Sequence, residues 1–259
     1  MRIALGIEYQ GTRYHGWQRQ AAVDSIQARL EAAISSVAAH PIELVCAGRT
    51  DRGVHATVQV AHFETTAVRE PHAWQLGTLA NLPEDIGVLW VKPVGKGFHA
   101  RFSATARQYR YVIYNRLNRP GLLHGRVTWQ RRPLDVELMH EAAQHLLGTH
   151  DFTSFRGKDC QAKSPVRTLE WIRVTREGDY LYLDVRANAF LHHMVRNIAG
   201  TLMQVGMGLK PPEWVVGVRD ACLREAAGFT APADGLYLVH VQYPAEHGLR
   251  LAPRLPVFY

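Results

Sequence analysis

The chain has 259 residues, 47% hydrophobic and 20% charged, enough for one large or two medium domains with a sizeable core. No apolar run approaches the roughly 20 residues of a membrane span, and Glu8 comes too early for a secretory leader. Three widely spaced cysteines without a CxxC pair argue against a disulfide frame or a zinc ribbon and point to a reducing cytoplasm. Net charge is +7 and uneven: residues 1–103 hold ten Lys/Arg and nine Asp/Glu, residues 104–259 twenty and fourteen.

In chain order, Arg2–Tyr9 is expected to be a strand and Gly11–Gln20 a loop. Asp24 with Gln27 has capping-box spacing, and Ile26, Leu30, Ala33, Ile34 and Val37 then recur at helical period until His40-Pro41. Strands are expected at 42–46 and 54–63, a helix from Pro71 to Ala80, and a strand from Ile86 to Val94. That order is βαββαβ, the ferredoxin-like arrangement. A second pass follows: a strand at 107–115 and a basic loop at 116–134 with a strand inside 126–130. A helix capped by Asp135 runs to Gly148, and a polar loop spans 151–165. Strands are expected at 166–175 and 180–188, helices at 192–207 and 212–227, and a last strand at 235–243. The fold class predicted is α/β (α+β), with two ferredoxin-like units, residues 1–103 and 104–259, whose antiparallel sheets pack around a shared basic cleft.

Between the first two predicted strands of residues 42–63 lies Ala47-Gly48-Arg49-Thr50-Asp51-Arg52-Gly53-Val54-His55-Ala56. Glycines permit a tight loop and close approach of another molecule, and two flanking cations favour an ionised Asp51. Residues alone leave two readings, an Asp capping its own turn or a catalytic acid. No acid occurs between Asp85 and Asp135, an interval with ten cations, eight of them Arg, interleaved with Tyr109, Tyr111, Tyr114 and Trp129. Arginine forks suit phosphate and aromatic rings suit bases, so a nucleic-acid partner is favoured over a merely solvated basic face. Phosphate-loop, dinucleotide and nucleophile-elbow motifs are lacking. His192-His193 offers no metal-ligand spacing, so no metal is expected. Taken singly, Tyr109 reads as a strand residue packing its ring, Arg196 as a helix surface residue and Leu236 as core.

The segment 47–56 resembles the signature of the TruA family of tRNA pseudouridine synthases. Tyr14-His15-Gly16-Trp17-Gln18-Arg19-Gln20, Phe98-His99-Ala100-Arg101-Phe102-Ser103-Ala104 with Arg110-Tyr111, and Asp151-Phe152-Thr153-Ser154-Phe155 also match, as do residues 187–197 and Gly235-Leu236-Tyr237-Leu238. The resemblance implies isomerisation of uridine to pseudouridine at positions 38, 39 and 40 of the tRNA anticodon stem-loop, after base flipping, by a cytoplasmic homodimer that needs no cofactor. It implies that Asp51 is the catalytic aspartate, either a nucleophile toward C1′ of the ribose or C6 of the base, or the group that removes the 2′ proton. Tyr109 then stacks on the uracil and is a candidate base for the C5 proton, and Arg196 pairs with the aspartate. Arg49 replaces the flipped nucleotide, and Leu236 lines the base pocket. Arg101, Arg107, Arg110, Asn188 and His192, within or beside the matching blocks, are the further expected substrate contacts. Two other readings of the residues are a non-catalytic RNA-binding protein with the same basic face and a metal-dependent RNA hydrolase built on the histidines.

Overall fold

The apolar stretch Arg2–Tyr9 forms strand β1 at the centre of a sheet in the computed structural model, which describes residues 1–258. β1 is paired antiparallel on one side with β3 (His55–Glu64) and on the other with β4 (Ile86–Val94). β2 (Val45–Cys46) pairs antiparallel with β3, so the order β4-β1-β3-β2 is the ferredoxin-like one. Helix α1 (Ile26–Ala38) buries Ile26, Leu30, Ala33 and Ile34, the residues that the period of 3.6 marks out. It packs on α2 (Pro71–Ala80), whose Trp74 meets Phe63 edge-on at 5.3 Å.

The N-cap expected for α1 is not the one used. Ser25, not Asp24, caps α1, its hydroxyl accepting from the Ala28 N–H at 3.4 Å. Asp24 instead grips Arg29 with both oxygens at 2.8 Å, and Gln27 turns to Glu31 and the Arg19 N–H. Ser and Asp are near-equal caps, and here a charged partner one turn along decides which is used.

The chain has two units, Met1–Ala106 together with the chain from Tyr237 onward, and Arg107–Leu236. In the second, β5 (Ala106–Asn115) pairs antiparallel with β9 (Tyr180–Ala187), β9 with β8 (Val166–Glu177), and β8 with β7 (Gly148–Asp151). β6 (Thr128–Gln130) runs parallel to β5. Helix α3 (Val136–Gln144) begins where Asp135 Oδ1 accepts from the N–H groups of Glu137 and Leu138, as its sequence predicts. It packs on β8 and on α4 (Met194–Gly206), while α5 (Trp214–Ala221) lies against a 3-10 turn at Thr153–Phe155. β10 (Leu236–Gln242) starts with the last residue of this unit, where the Val112 N–H donates to the Gly235 carbonyl at 2.8 Å. Its Tyr237 and Leu238 align in parallel with His55 and Ala56 of β3.

The structure is thus mixed α/β with mostly antiparallel pairing, as the sequence predicts. β7 replaces an expected helix end and loop because Gly-Thr-His-Asp carries no apolar alternation. It is a short edge strand made by partners in β8. The helix expected to reach 227 stops at Ala221, where Cys222 turns left-handed (φ 49°) and Leu223 donates to the Ser154 hydroxyl at 2.9 Å. Among the described residues no helix is long and apolar enough to cross a membrane.

Candidate active site

Asp51 sits half-buried in a loop fastened at both ends. At the start, Ala47 N–H donates to Val60 O (2.8 Å) and Gln59 Nε2 to Gly48 O (2.6 Å). At the end, Val54 N–H donates back to Asp51 O at 3.1 Å, closing a turn that Gly53 enters with φ 80°. Residues 9–17 clamp the middle. Thr50 is buried, its hydroxyl 2.8 Å from that of Tyr9, and its carbonyl accepts from the Trp17 N–H at 3.0 Å. Gly53 donates to the Tyr14 carbonyl at 3.3 Å. Two glycines let this clamp close. A Cβ on Gly11 would stand 1.9 Å from Val54 O, and one on Gly16 (φ +88°) 2.6 Å from Thr50 O.

The clamp is itself anchored. Tyr14 donates its hydroxyl to Asp85 Oδ1 at 2.5 Å, and Arg13 meets the other oxygen of Asp85 at 3.2 Å. Burial first, and the Asp85 acceptor second, push the Tyr14 phenol upward, so it stays a neutral donor. His55 Nδ1 accepts from the Gly11 N–H at 3.0 Å and its ring stacks on Tyr237 at 4.6 Å. Cys46, at the foot of the loop, is no rival nucleophile, because burial pushes its thiol up to about 12. Arg49 and Arg52, on either side of the acid, are exposed. The chain therefore presents one carboxylate from a rigid turn with cations around its rim.

Arg101 also belongs to the first unit and is exposed. The remaining predicted residues lie in the second. Tyr109, on β5 opposite Val185, is 8% exposed and meets Phe190 edge-on at 5.0 Å, which fixes its ring. Arg107 donates to the Asn188 carbonyl at 3.0 Å, so these two come together. Arg110 is held by both oxygens of Asp184 (2.8 and 2.7 Å) and lies 4.4 Å over Tyr182. Leu236 is buried, its N–H bonded to Ala233 O at 2.9 Å. His192 and His193 stack at 3.8 Å, and His193 is left-handed (φ 61°) where α4 begins.

Arg196, on the first turn of α4, exchanges two bonds with Ala231. Its Nε donates to Ala231 O (2.8 Å), and Ala231 N–H donates to its carbonyl (3.1 Å). The segment bearing Ala231 is locked by Asn197, a fully buried residue that residue types alone did not single out. Asn197 Nδ2 donates to Phe155 O (2.8 Å), while its Oδ1 accepts from Arg224 (3.1 Å) and Thr230 (2.7 Å). Gly200 lets the same segment press on α4, since a Cβ there would be 1.8 Å from Phe229 O. A buried Asn with its oxygen and amide both satisfied specifies one geometry, here for Arg196. The available sign was its place beside Arg196 at the end of the matching block 187–197; the partners, 27 to 42 residues away, leave no local pattern.

A family model described as tRNA pseudouridine synthase matches residues 6–103 and 142–244. The tRNA pseudouridine synthase A of Shewanella sediminis is 56% identical over 258 residues, covering 100% of this chain and 99% of that protein. The protein of the same name from Aeromonas salmonicida is 59% identical over 257 residues (99% and 94%), and one from Vibrio cholerae 56% over 258 (100% and 98%). A crystal structure of a Cbf5-Nop10-Gar1 complex aligns with 91% of this chain and 48% of that one, at 11% identity and a TM-score of 0.33.

Proposed function

The chain belongs to the tRNA pseudouridine synthase family and isomerises uridine to pseudouridine in tRNA; we propose that it does so at positions 38, 39 and 40 of the anticodon stem-loop, with Asp51 as the catalytic group. The observation that carries this reading is the loop itself. The Asp51 carboxylate is held half-buried on a turn whose backbone is bonded on both sides and pressed by Gly16. A group merely capping its own turn needs no such support. Held geometry is what a reacting carboxylate requires.

The reaction conserves atoms and electrons. The N1–C1′ bond breaks, the uracil turns, C5 bonds to C1′, C5 loses a proton and N1 gains one. It therefore consumes no cofactor. Asp51 attacks the ribose or the base, or takes the 2′ proton; all of these roles use the anion. The target base must leave its stack, at a cost of a few kcal/mol. In this reading Arg49, exposed on the loop, fills the space it vacates, and Tyr109 stacks on the uracil and receives the C5 proton. Leu236 packs against the base. Arg196, fixed by Ala231, pairs with the aspartate. Arg101, Arg107, Arg110, Asn188 and His192 contact the RNA, in line with the acid-free interval from 86 to 134. The enzyme works in the cytoplasm as a homodimer with one tRNA lying across both subunits.

The test is Asp51→Asn on a tRNA transcript, with pseudouridine mapped by position. Product at 38–40 is expected from the wild type and none from the variant, with tRNA affinity kept within about threefold, as expected of a group acting in the chemical step. Conversion by the variant at the wild-type rate would overturn the role of Asp51, and product at other positions would overturn the choice of site.

A further inference from the structure

The loop at residues 95–104 of the first unit is fastened more firmly than its surface position requires. The Ala100 N–H donates to His62 Nδ1 (3.1 Å), a buried ring, and the Ala100 carbonyl accepts from the Tyr243 hydroxyl (2.7 Å). Phe98 is fully buried against His62, Tyr243 and His247. Arg2 donates to the carbonyls of Lys96 and Phe98. His99 Nδ1 accepts from both Arg101 N–H (3.2 Å) and Phe102 N–H (3.1 Å), and Ser103 N–H closes the turn on His99 O at 2.9 Å. At the tip of this rigid turn, the Phe102 ring is 77% exposed.

Single exposed apolar side chains are common and by themselves mean little. Three features set this one apart. Its position is held by the backbone, so it does not fold down onto the surface. The His99 ring supports it at 4.3 Å and 27°, and the Arg101 guanidinium lies 5.5 Å from its centroid. Its companions in the loop are polar: Lys96, His99, Arg101 and Ser103. Between residues 77 and 116 no other large apolar side chain is exposed among the described residues. An apolar protein face docked here would cover two cations and a hydroxyl to gain one ring. A nucleotide answers the whole arrangement, with its base on the ring and its phosphate toward the cations.

We propose that Phe102, braced by His99 and flanked by Arg101, is a stacking platform for one unpaired base of the bound RNA, separate from the uridine that reacts. The inference rests on the tRNA reading above and adds to it a second nucleotide contact.

The test compares Phe102→Ala and Phe102→Tyr with wild type, using tRNA affinity by fluorescence anisotropy, steady-state kinetics, and quenching of 2-aminopurine placed in turn at the unpaired anticodon-loop positions. Losing one base–aromatic stack weakens binding by about 5- to 100-fold. Phe102→Ala is expected to show that loss mainly in KM, with quenching lost at one loop position, and Phe102→Tyr to restore both. Because the side chain is exposed, the thermal midpoint should move by less than about 2 °C, as for most surface changes. Affinity of the Ala variant within twofold of wild type overturns the proposal. So does a Tyr variant as weak as Ala, which would make the ring a scaffold element, or a fall in the solution mass of the Ala variant, which would make it a contact between copies of the chain. A wild-type protein that neither binds nor converts tRNA would instead defeat the functional reading.

Discussion

Replacing Gly16 by alanine tests whether the clamp on the Asp51 loop matters for catalysis. The new Cβ would stand 2.6 Å from Thr50 O, 3.0 Å from the Asp51 carbonyl carbon and 3.1 Å from Arg52 N. Carbon seldom approaches a carbonyl oxygen closer than about 3.3 Å, so the two segments must part by roughly 0.7 Å. All three atoms are backbone, so no side chain can swing away. The φ of +88° adds about 1–2 kcal/mol for an L residue, and overpacking about 1–3 kcal/mol. Together that is roughly 2–5 kcal/mol, or about 7–18 °C in the thermal midpoint of a unit of this size. A shift near 1 Å at a reacting group costs about 100-fold, so single-turnover conversion at saturating enzyme should fall about 10- to 100-fold. Gly217→Ala is the control. Nothing lies within 4 Å of its Cβ, and α5 should gain about 0.5–1 kcal/mol with the rate untouched. A Gly16→Ala protein with kcat within twofold of wild type and a midpoint within about 2 °C would show that the close approach does not position Asp51.

Tyr109→Phe keeps the ring against Phe190 and removes the hydroxyl; conversion should drop at least about 100-fold with tRNA affinity little changed, and full activity would sink the proton-transfer role. Asn197→Ala removes three hydrogen bonds of a buried side chain at about 1 kcal/mol each and strands their partners, so the second unit should melt about 10 °C lower; calorimetry showing a fall under about 3 °C would contradict this. His62 is lowered to about 4, by burial first and then by His99 and Arg2. The unfolded chain therefore binds an extra proton between about pH 4 and 6.5. Stability should rise with pH across that window by up to about 1.4 kcal/mol per unit, and be lost as the pH falls through it. Urea titrations of His62→Gln should show a flatter slope, and an unchanged slope would remove His62 as the source.

Much of the architecture is legible locally. β1, α2 and β4 have the expected bounds because apolar period, a proline at a helix start and a following Asn-Leu-Pro are all short-range signals. Asp135 is likewise a cap, as the Glu137 and Leu138 N–H groups that it accepts from show. As a candidate, Asp51 stands out for a different reason, as a charged residue between glycines and two arginines in a strand–loop–strand pattern. Where two local choices are nearly equal, the sequence is silent: Ser25 and Asp24 compete for one cap, and the ion pair with Arg29 settles it.

The sequence by itself determined the basic, acid-free interval, the βαββαβ order of the first unit and the residue types available for chemistry. Only the tertiary structure decided what holds them. Tyr14 reaches Asp85 across 71 positions, Asn197 reaches Phe155 across 42, and Tyr243 reaches Ala100 across 143. Such bonds join single polar atoms distant in the chain and impose no period on the residues between them. β7 exists only because β8 supplies its partners, and Gly16 looks like any loop glycine until Thr50 is placed against it. The rigidity of the Asp51 turn, the setting of Arg196 and the exposure of Phe102 on a braced loop all come from contacts of this long-range kind, which form only once the chain has folded.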